Sequence, residues 1–424
     1  MTVWVEVGDL IDFASRHDRP SGIQRVGFEI ALALSRTVPA PGYVAFCRID
    51  AGRNRGPSEV SQAELSATYA ALRSGHLRRD GEASRPERVN EWPTRQAHLA
   101  PGDVLLTLSP PLGSWDFTCK VQELVREGVR LVVFVHDIIP ILHPEWCEEW
   151  VISEFEPWLQ ALVSIADTVL TSSRSVARDL AEWANRASLH FTHSITVVRL
   201  GSRFTSTGSS PLLELPQGVD VSPEPGFALF VSTVEPRKNH SLAIEVWRRS
   251  IAALGSARVP QLVCVGRVGW LVDDLLQRLS DESYLGGKVI LLEGVPDWQL
   301  EHLYASCKFS LFPSHYEGYG LPVTESLAFG KLCLASNGGA IPEAGGEQCV
   351  YFDPRSEEDA EAAVRAILES PPLLTRLTAA VKAEFNEVTW DATAQDVLAA
   401  ISGRSRPSSG YALGSSQKHR KKRF

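Results

Sequence analysis

The chain lacks any apolar run long enough to cross a bilayer, and its opening, MTVWVEVGDLIDFASRHDRP, lacks the basic-then-apolar order of a secretory signal. A cytoplasmic location is therefore expected. Paired cysteines are also lacking. The seven present, Cys47, Cys119, Cys147, Cys264, Cys307, Cys333 and Cys349, are odd in number, scattered and mostly flanked by apolar residues. They read as reduced core thiols, with neither metal nor disulfide spacing. No Asp-x-Asp triplet occurs, and no stretch placed at a strand end matches a GxGxxG dinucleotide fingerprint, which disfavours a nicotinamide dehydrogenase.

What is present suffices for two ordinary globular domains: 424 residues, 44% hydrophobic and 22% charged, too apolar for disorder to dominate. The formal charge of −9 hides a division. From Gly403 onward there are seven basic residues and no acid, so the −9 total less those seven charges leaves −16 on residues 1–402. An acidic body argues against nucleic acid as a partner. The basic end, SGRSRPSSGYALGSSQKHRKKRF, reads as a disordered tail suited to weak contact with anionic lipid, at ~1 kcal/mol per basic residue near the surface. A solubilising role for the tail is an equal reading.

Short apolar runs alternate with helical periodicity, the pattern of parallel sheets covered on both faces. Strands are predicted from Val3 to Val7, Tyr43 to Cys47, Val104 to Leu108, Leu131 to His136, Thr168 to Thr171 and Ile195 to Val198. A second set runs from Phe227 to Ser232, Gln261 to Val265, Val289 to Leu292, Phe309 to Phe312, Leu332 to Ala335 and Val350 to Phe352. Helices fall between them, one capped by Ser173, and a last amphipathic one covers Trp390 to Ile401. Between Ala51 and His98 the sequence turns polar and reads as an exposed loop. A Ser/Gly/Pro-rich stretch ending at Gly226 reads as a linker. The expectation is an α/β chain of two doubly wound domains, with ligand bound in the cleft outside the carboxyl ends of their strands.

Four segments sit where such a cleft needs chemistry. In FPSHYEGYGLPVTESLAFGK, Glu317 and Glu325 bracket a glycine-bearing turn, Pro322 suits a first helical position and Gly330 a stop. Free amides at that helix start form a ready anion site, and Glu325, expected in the first turn, reaches a hydroxyl of the same ligand. A phosphorylated, hydroxyl-rich ligand such as a nucleotide sugar fits. In STVEPRKNH, Arg237 and Lys238 follow a strand and would meet a diphosphate held by the turn. In VFVHDIIPILHPEW, His136 and Asp137 end the most apolar strand of the first half. PSGIQRVGFEIALAL adds Gly22, where backbone can approach phosphate or acceptor, with Arg25 beside it.

The Glu-x7-Glu spacing around Gly-Tyr-Gly-Leu-Pro, together with EPRKNH and HDIIP, resembles family 4 retaining glycosyltransferases, which adopt the GT-B fold of two Rossmann-like doubly wound domains facing across a cleft. The resemblance implies that Glu317 contacts the donor sugar, Glu325 the nucleotide ribose, and the amides of Gly320 and Leu321, with Tyr319 beside them, the phosphate. It implies that Arg237 and Lys238 stabilise the departing nucleoside diphosphate in place of a metal, in keeping with the missing Asp-x-Asp triplet, and that His136 hydrogen-bonds the donor sugar. Gly266 of VGRVGW would line the nucleotide pocket. One departure stands out: many members carry a further arginine near the end of the strand before the basic loop, where this chain has Ser232 and Thr233, so Thr233 is a substitute donor candidate.

On this resemblance residues 1–205 form an acceptor-side domain, 206–226 a linker, 227–390 the nucleotide-sugar domain, 391–403 a helix crossing back to the first domain, and 404–424 the basic tail. HDIIP and EPRKNH are most similar to mannosyltransferases of surface polysaccharide assembly. GDP-mannose is accordingly the first donor, acting as substrate with no cofactor, and a glycan or lipid-linked glycan the first acceptor. Two other readings stay open: a nucleotide-sugar-binding partner protein without turnover, and a GT-B epimerase or phosphorylase.

Overall fold

In the computed structural model, residues 1–37, 43–49, 56–74, 95–109, 111–189, 195–203, 216, 218–219 and 224–403 are described. The basic tail, nearly all of the 206–226 linker and the centre of the polar 51–98 stretch lie outside the described residues.

The first sheet contains β1 (Val3–Glu6), β2 (Val44–Arg48), β3 (Ser58–Val60), β4 (Val104–Thr107), β5 (Arg130–Val135), β6 (Thr168–Thr171) and β7 (Ile195–Val197), in the order 3-2-1-4-5-6-7. All neighbours are parallel except the β2–β3 pair. The second contains β8 (Phe227–Val231), β9 (Gln261–Val265), β10 (Val289–Leu292), β11 (Ser310–Phe312), β12 (Cys333–Ser336) and β13 (Cys349–Phe352), in the order 10-9-8-11-12-13 and parallel throughout. Every predicted strand forms within one residue of its expected ends. Central strands such as VWVE and VLLT are buried at every position, because helices cover both faces.

Strand order reverses between β1 and β4 in one sheet and between β8 and β11 in the other. Crevices open at such switch points, outside the carboxyl ends. The last helix, Trp390–Ile401, returns to the first sheet, where Trp390, Ala394, Val397 and Ile401 share an apolar cluster with Val3, Phe28 and Leu106. The polar 51–98 stretch departs from its reading as loop. It holds β3 and a helix, Gln62–Ser74, whose Leu65, Tyr69 and Leu72 are buried at helical spacing. Alanine, serine and threonine make up most of the rest of that helix and mask its apolar stripe. The Gly8–Arg16 helix, starting straight after β1, is likewise absent from the sequence-based expectation.

Candidate active site

The carboxyl ends of the two sheets face each other across a cavity of about 800 Å3. Every residue singled out from the sequence lines it: Gly22 and His136 from the first unit, and Thr233, Arg237, Lys238, Gly266, Glu317, Tyr319, Gly320, Leu321 and Glu325 from the second.

At the centre lies a four-charge cluster. After β8 the chain makes one 3-10 turn, Pro236–Lys238, closed by Asn239 in the left-handed region, φ 62°. The Asn239 amide secures that turn by donating to the carbonyls of Pro313 at 3.3 Å and Pro354 at 2.9 Å. Arg237 is thereby aimed between two carboxylates: Nη1 donates to Glu317 Oε2 at 2.6 Å and to the Tyr316 carbonyl at 2.9 Å, while Nη2 donates to Glu235 Oε1 at 2.7 Å. Lys238 Nζ donates to Glu317 Oε1 at 2.5 Å and stands 5.8 Å from the centre of the Phe312 ring, within cation–π range. Burial alone would push the Glu317 carboxyl up, but the Arg237 and Lys238 charges outweigh it and hold the pKa near 2. Burial works against the Arg237 cation as well, and Glu317 and Glu235 more than restore it. Glu235 lay inside the quoted EPRKNH segment, but nothing in the spacing marked it as the counter-charge of Arg237.

The glycine turn serves a purpose beyond flexibility. A Cβ on Gly318 would stand 2.3 Å from the His136 carbonyl oxygen of the opposite unit, so only glycine permits this approach. Ser172 and Ser173 hydroxyls then donate to the Gly318 carbonyl at 3.2 and 2.8 Å. Gly320, at φ 113°, caps the helix Leu321–Ala328 and leaves the first amides of that helix at the cavity wall. The helix begins one residue before its expected start, so Glu325 sits beyond the first turn rather than in it. Glu325 is buried, accepts from the Tyr304 hydroxyl at 2.8 Å, and has its pKa raised by burial, with the Arg25 charge the largest opposing influence. Tyr319 and Leu321 line the cavity and also pack against the apolar cluster of the first sheet.

From β5, His136 Nε2 donates to the Leu108 carbonyl at 2.8 Å. A carbonyl only accepts, which fixes the proton on Nε2, and burial holds the ring neutral by lowering its pKa, so Nδ1 is an acceptor. Asp137 caps the next turn by accepting from the Ile139 amide at 3.0 Å. Thr233 and Gly266 border the cavity side by side. A Cβ on Gly266 would fall 1.9 Å from the Ser232 carbonyl.

Arg25 does not stand free for phosphate or acceptor, as the sequence suggested. Its guanidinium forms a two-pronged pair with Asp297, both bonds 2.8 Å, and Arg73 adds a third bond to the same carboxylate at 2.6 Å. On the other flank Glu343 accepts from the Arg174 and Ser175 amides at 2.8 and 2.7 Å, so a carboxylate of the second unit caps a helix of the first. Tyr316 also donates to Asp179 across the gap. These cross-unit contacts were invisible in sequence, because each joins residues more than a hundred positions apart.

With this geometry in view, comparison with known proteins defines the class. Residues 214–384 match the family Glycosyl transferases group 1. The serotype-specific mannosyltransferase WbdA of Escherichia coli is 26% identical over 410 residues, covering 92% of this chain and 44% of WbdA. The O-antigen chain mannosyltransferase B of Escherichia coli is 30% identical over 166 residues, covering 39% of this chain and 43% of that protein. Each match covers less than half the length of the curated relative. Sucrose-phosphate synthase (tll1590) from Thermosynechococcus elongatus superposes with a TM-score of 0.59 at 17% identity, covering 95% of this chain and 99% of that one. The fold is GT-B. Among the described residues, no helix is long and apolar enough to cross a membrane.

Proposed function

We propose that the chain is a retaining hexosyltransferase that moves a sugar, mannose first, from a nucleotide-sugar donor, GDP-mannose first, to a hydroxyl of a glycan or lipid-linked glycan. The observation that carries this reading is the cluster of Arg237, Lys238 and Glu317 at the cleft floor, opposite His136 and next to the start of the Leu321–Ala328 helix. The names of the relatives support the choice of mannose and of surface glycan assembly.

As the glycosidic bond breaks, negative charge develops on the diphosphate, and Arg237, Lys238 and the helix amides are preorganised to receive it. Glu317, ionised and anchored by two cations, faces the electron-poor sugar as a fixed negative charge and a hydroxyl acceptor. A carboxylate held by two cations is a poor nucleophile, which favours arrival of the acceptor oxygen on the face the diphosphate leaves over a covalent enzyme intermediate. His136 accepts a sugar hydroxyl through Nδ1. Exclusion of water by the apposed units limits hydrolysis.

A thermal-shift screen of GDP, UDP, ADP and dTDP sugars identifies the donor, since a ligand of the folded state raises its apparent stability. Transfer to an acceptor follows, and Lys238→Ala, with fold retained, is expected to lose about 10²–10³-fold in kcat, the range for removing one stabilising group from a developing anion. Nucleotide binding without turnover on any acceptor would instead indicate a binding partner, and product release without an acceptor an epimerase or hydrolase. Weak, reversible attachment to anionic membrane through the basic tail belongs to the same proposal and is tested separately below.

A further inference from the structure

Asp297 opens the Asp297–Ser306 helix of the second unit, yet the charges that neutralise it belong to the first. Arg25 lays its planar fork on the carboxylate, Nη1 to Oδ2 and Nη2 to Oδ1, and Arg73 Nε shares Oδ2. All three residues are nearly inaccessible, at 9%, 4% and 3% exposure. Such a triad forms only while the units are apposed, because Arg25 and Arg73 belong to one unit and Asp297 to the other, and removing one member within the closed interface would leave a buried charge uncompensated. Arg73 Nη2 is buried and without a partner among the described residues, a standing cost to the contact.

The same helix carries Tyr304 two turns further on, and its hydroxyl donates to Glu325 at 2.8 Å. Arg25 therefore acts on Glu325 in two ways. It supplies charge that favours the ionised carboxylate, and through Asp297 it fixes the helix whose tyrosine orients that carboxylate.

We propose that Asp297 is a positioning residue for the nucleotide: held by Arg25 and Arg73, it sets the helix so that Tyr304 presents Glu325 to the ribose diol of a nucleoside diphosphate, coupling apposition of the two units to nucleotide affinity. The inference rests on the reading of the cavity as a nucleotide-sugar site. A protein whose binding-competent state is only partly populated shows an affinity reduced by that fraction, so weakening the clamp weakens binding without touching the ligand.

The test titrates GDP and 2′,3′-dideoxy-GDP into the full chain by calorimetry, using wild type, Asp297→Asn, Arg25→Gln and Tyr304→Phe. Wild type is expected to prefer GDP over the dideoxy analogue. Each variant is expected to bind GDP about tenfold more weakly, a loss of about 1.4 kcal/mol, and to lose most of that preference. The Asp297→Asn/Tyr304→Phe pair is expected to be no weaker than the poorer single variant, since both act through one helix. Donor KM should rise more than kcat falls, whereas a merely structural defect would reduce active fraction and leave ribose discrimination intact. Should Asp297→Asn fail to fold, the Arg25→Gln and Tyr304→Phe arms decide. Wild-type affinity with intact ribose preference in the variants, or additive losses in the pair, overturns the proposal. Failure of wild type to bind any of GDP, UDP, ADP and dTDP overturns the nucleotide-site reading beneath it.

Discussion

Glutamine at position 317 removes one charge from the four-charge cluster and keeps the side-chain volume and a hydrogen-bond acceptor. The Glu317 carboxyl is held near pH 2 against an ordinary 4.5. At about 1.4 kcal/mol per pKa unit, that depression represents roughly 3 kcal/mol of folding stability at neutral pH. The group is 10% exposed, so solvent screening takes little from this figure. The sign follows from a lowered carboxylate pKa: the contribution is complete above about pH 4.5 and drains away as pH falls toward 2. Glu317→Gln leaves Glu235 as the one carboxylate still ion-paired within the four-residue cluster, which then carries one net positive charge in a buried setting. The expected result is a loss of about 3 kcal/mol in urea unfolding at pH 7, shrinking by about 1 kcal/mol at pH 4 as wild type surrenders part of its advantage. Sugar transfer should fall by at least about 10²-fold, as for other fixed electrostatic groups, while GDP binds no more weakly. An unfolding midpoint equal to that of wild type at pH 7, or wild-type turnover, would refute the electrostatic account of the cluster.

Gly318→Ala places a methyl 2.3 Å from the His136 carbonyl, so the units should part to relieve it, seen as a larger radius of gyration in solution scattering and at least about a tenfold loss of kcat/KM. Glu6, fully buried where it accepts from the Gly8 and Ile49 amides, has its pKa raised to about 8 chiefly by burial. A raised carboxylate weakens the fold as pH climbs from 4.5 toward 8, so Glu6→Gln should match wild type near pH 4 and exceed it by a few kcal/mol at pH 8 in urea midpoints; equal midpoints at pH 8 would contradict this. Removing residues 404–424 should abolish co-sedimentation with vesicles containing phosphatidylserine and leave transfer to a soluble acceptor unchanged; unchanged co-sedimentation excludes tail-mediated attachment.

The strands were legible because a buried parallel strand is a short, continuous apolar run, and each such run here is bounded by turn residues. The cleft residues were legible because the switch points place the ends of β5, β8 and β11 together, so segments as distant as HDIIP, EPRKNH and EGYGLP converge. What sequence could not supply is pairing at a distance. Arg25 and Asp297 are 272 positions apart, Arg73 and Asp297 are 224, and Ser175 and Glu343 are 168. The charged members read in sequence as ordinary surface charges, Arg73 within an expected loop, and only the packed units reveal their partners. The Gln62–Ser74 helix was lost for a different reason: Ala, Ser and Thr dilute its apolar stripe until composition outweighs periodicity.

The cluster at the cleft floor also explains why two cations can wait in a buried site for a ligand that is often absent. Arg237 and Lys238 alone would pay a heavy desolvation cost, whereas Glu235 and Glu317 bring the cluster to neutrality without filling the cavity. On the proposed reaction the balance then shifts in a useful direction. Bond cleavage separates charge, negative on the diphosphate and positive on the sugar, and a neutral cluster with cations on one side and a carboxylate on the other interacts weakly with the uncharged bond and strongly with the separated pair. Stabilisation that grows along the reaction coordinate raises kcat, while stabilisation present from the start lowers KM alone. Glu235 and Glu317 therefore differ in kind despite equal charge: Glu235 pairs with Arg237 alone, whereas Glu317 pairs with both cations and on the proposed reaction faces the sugar.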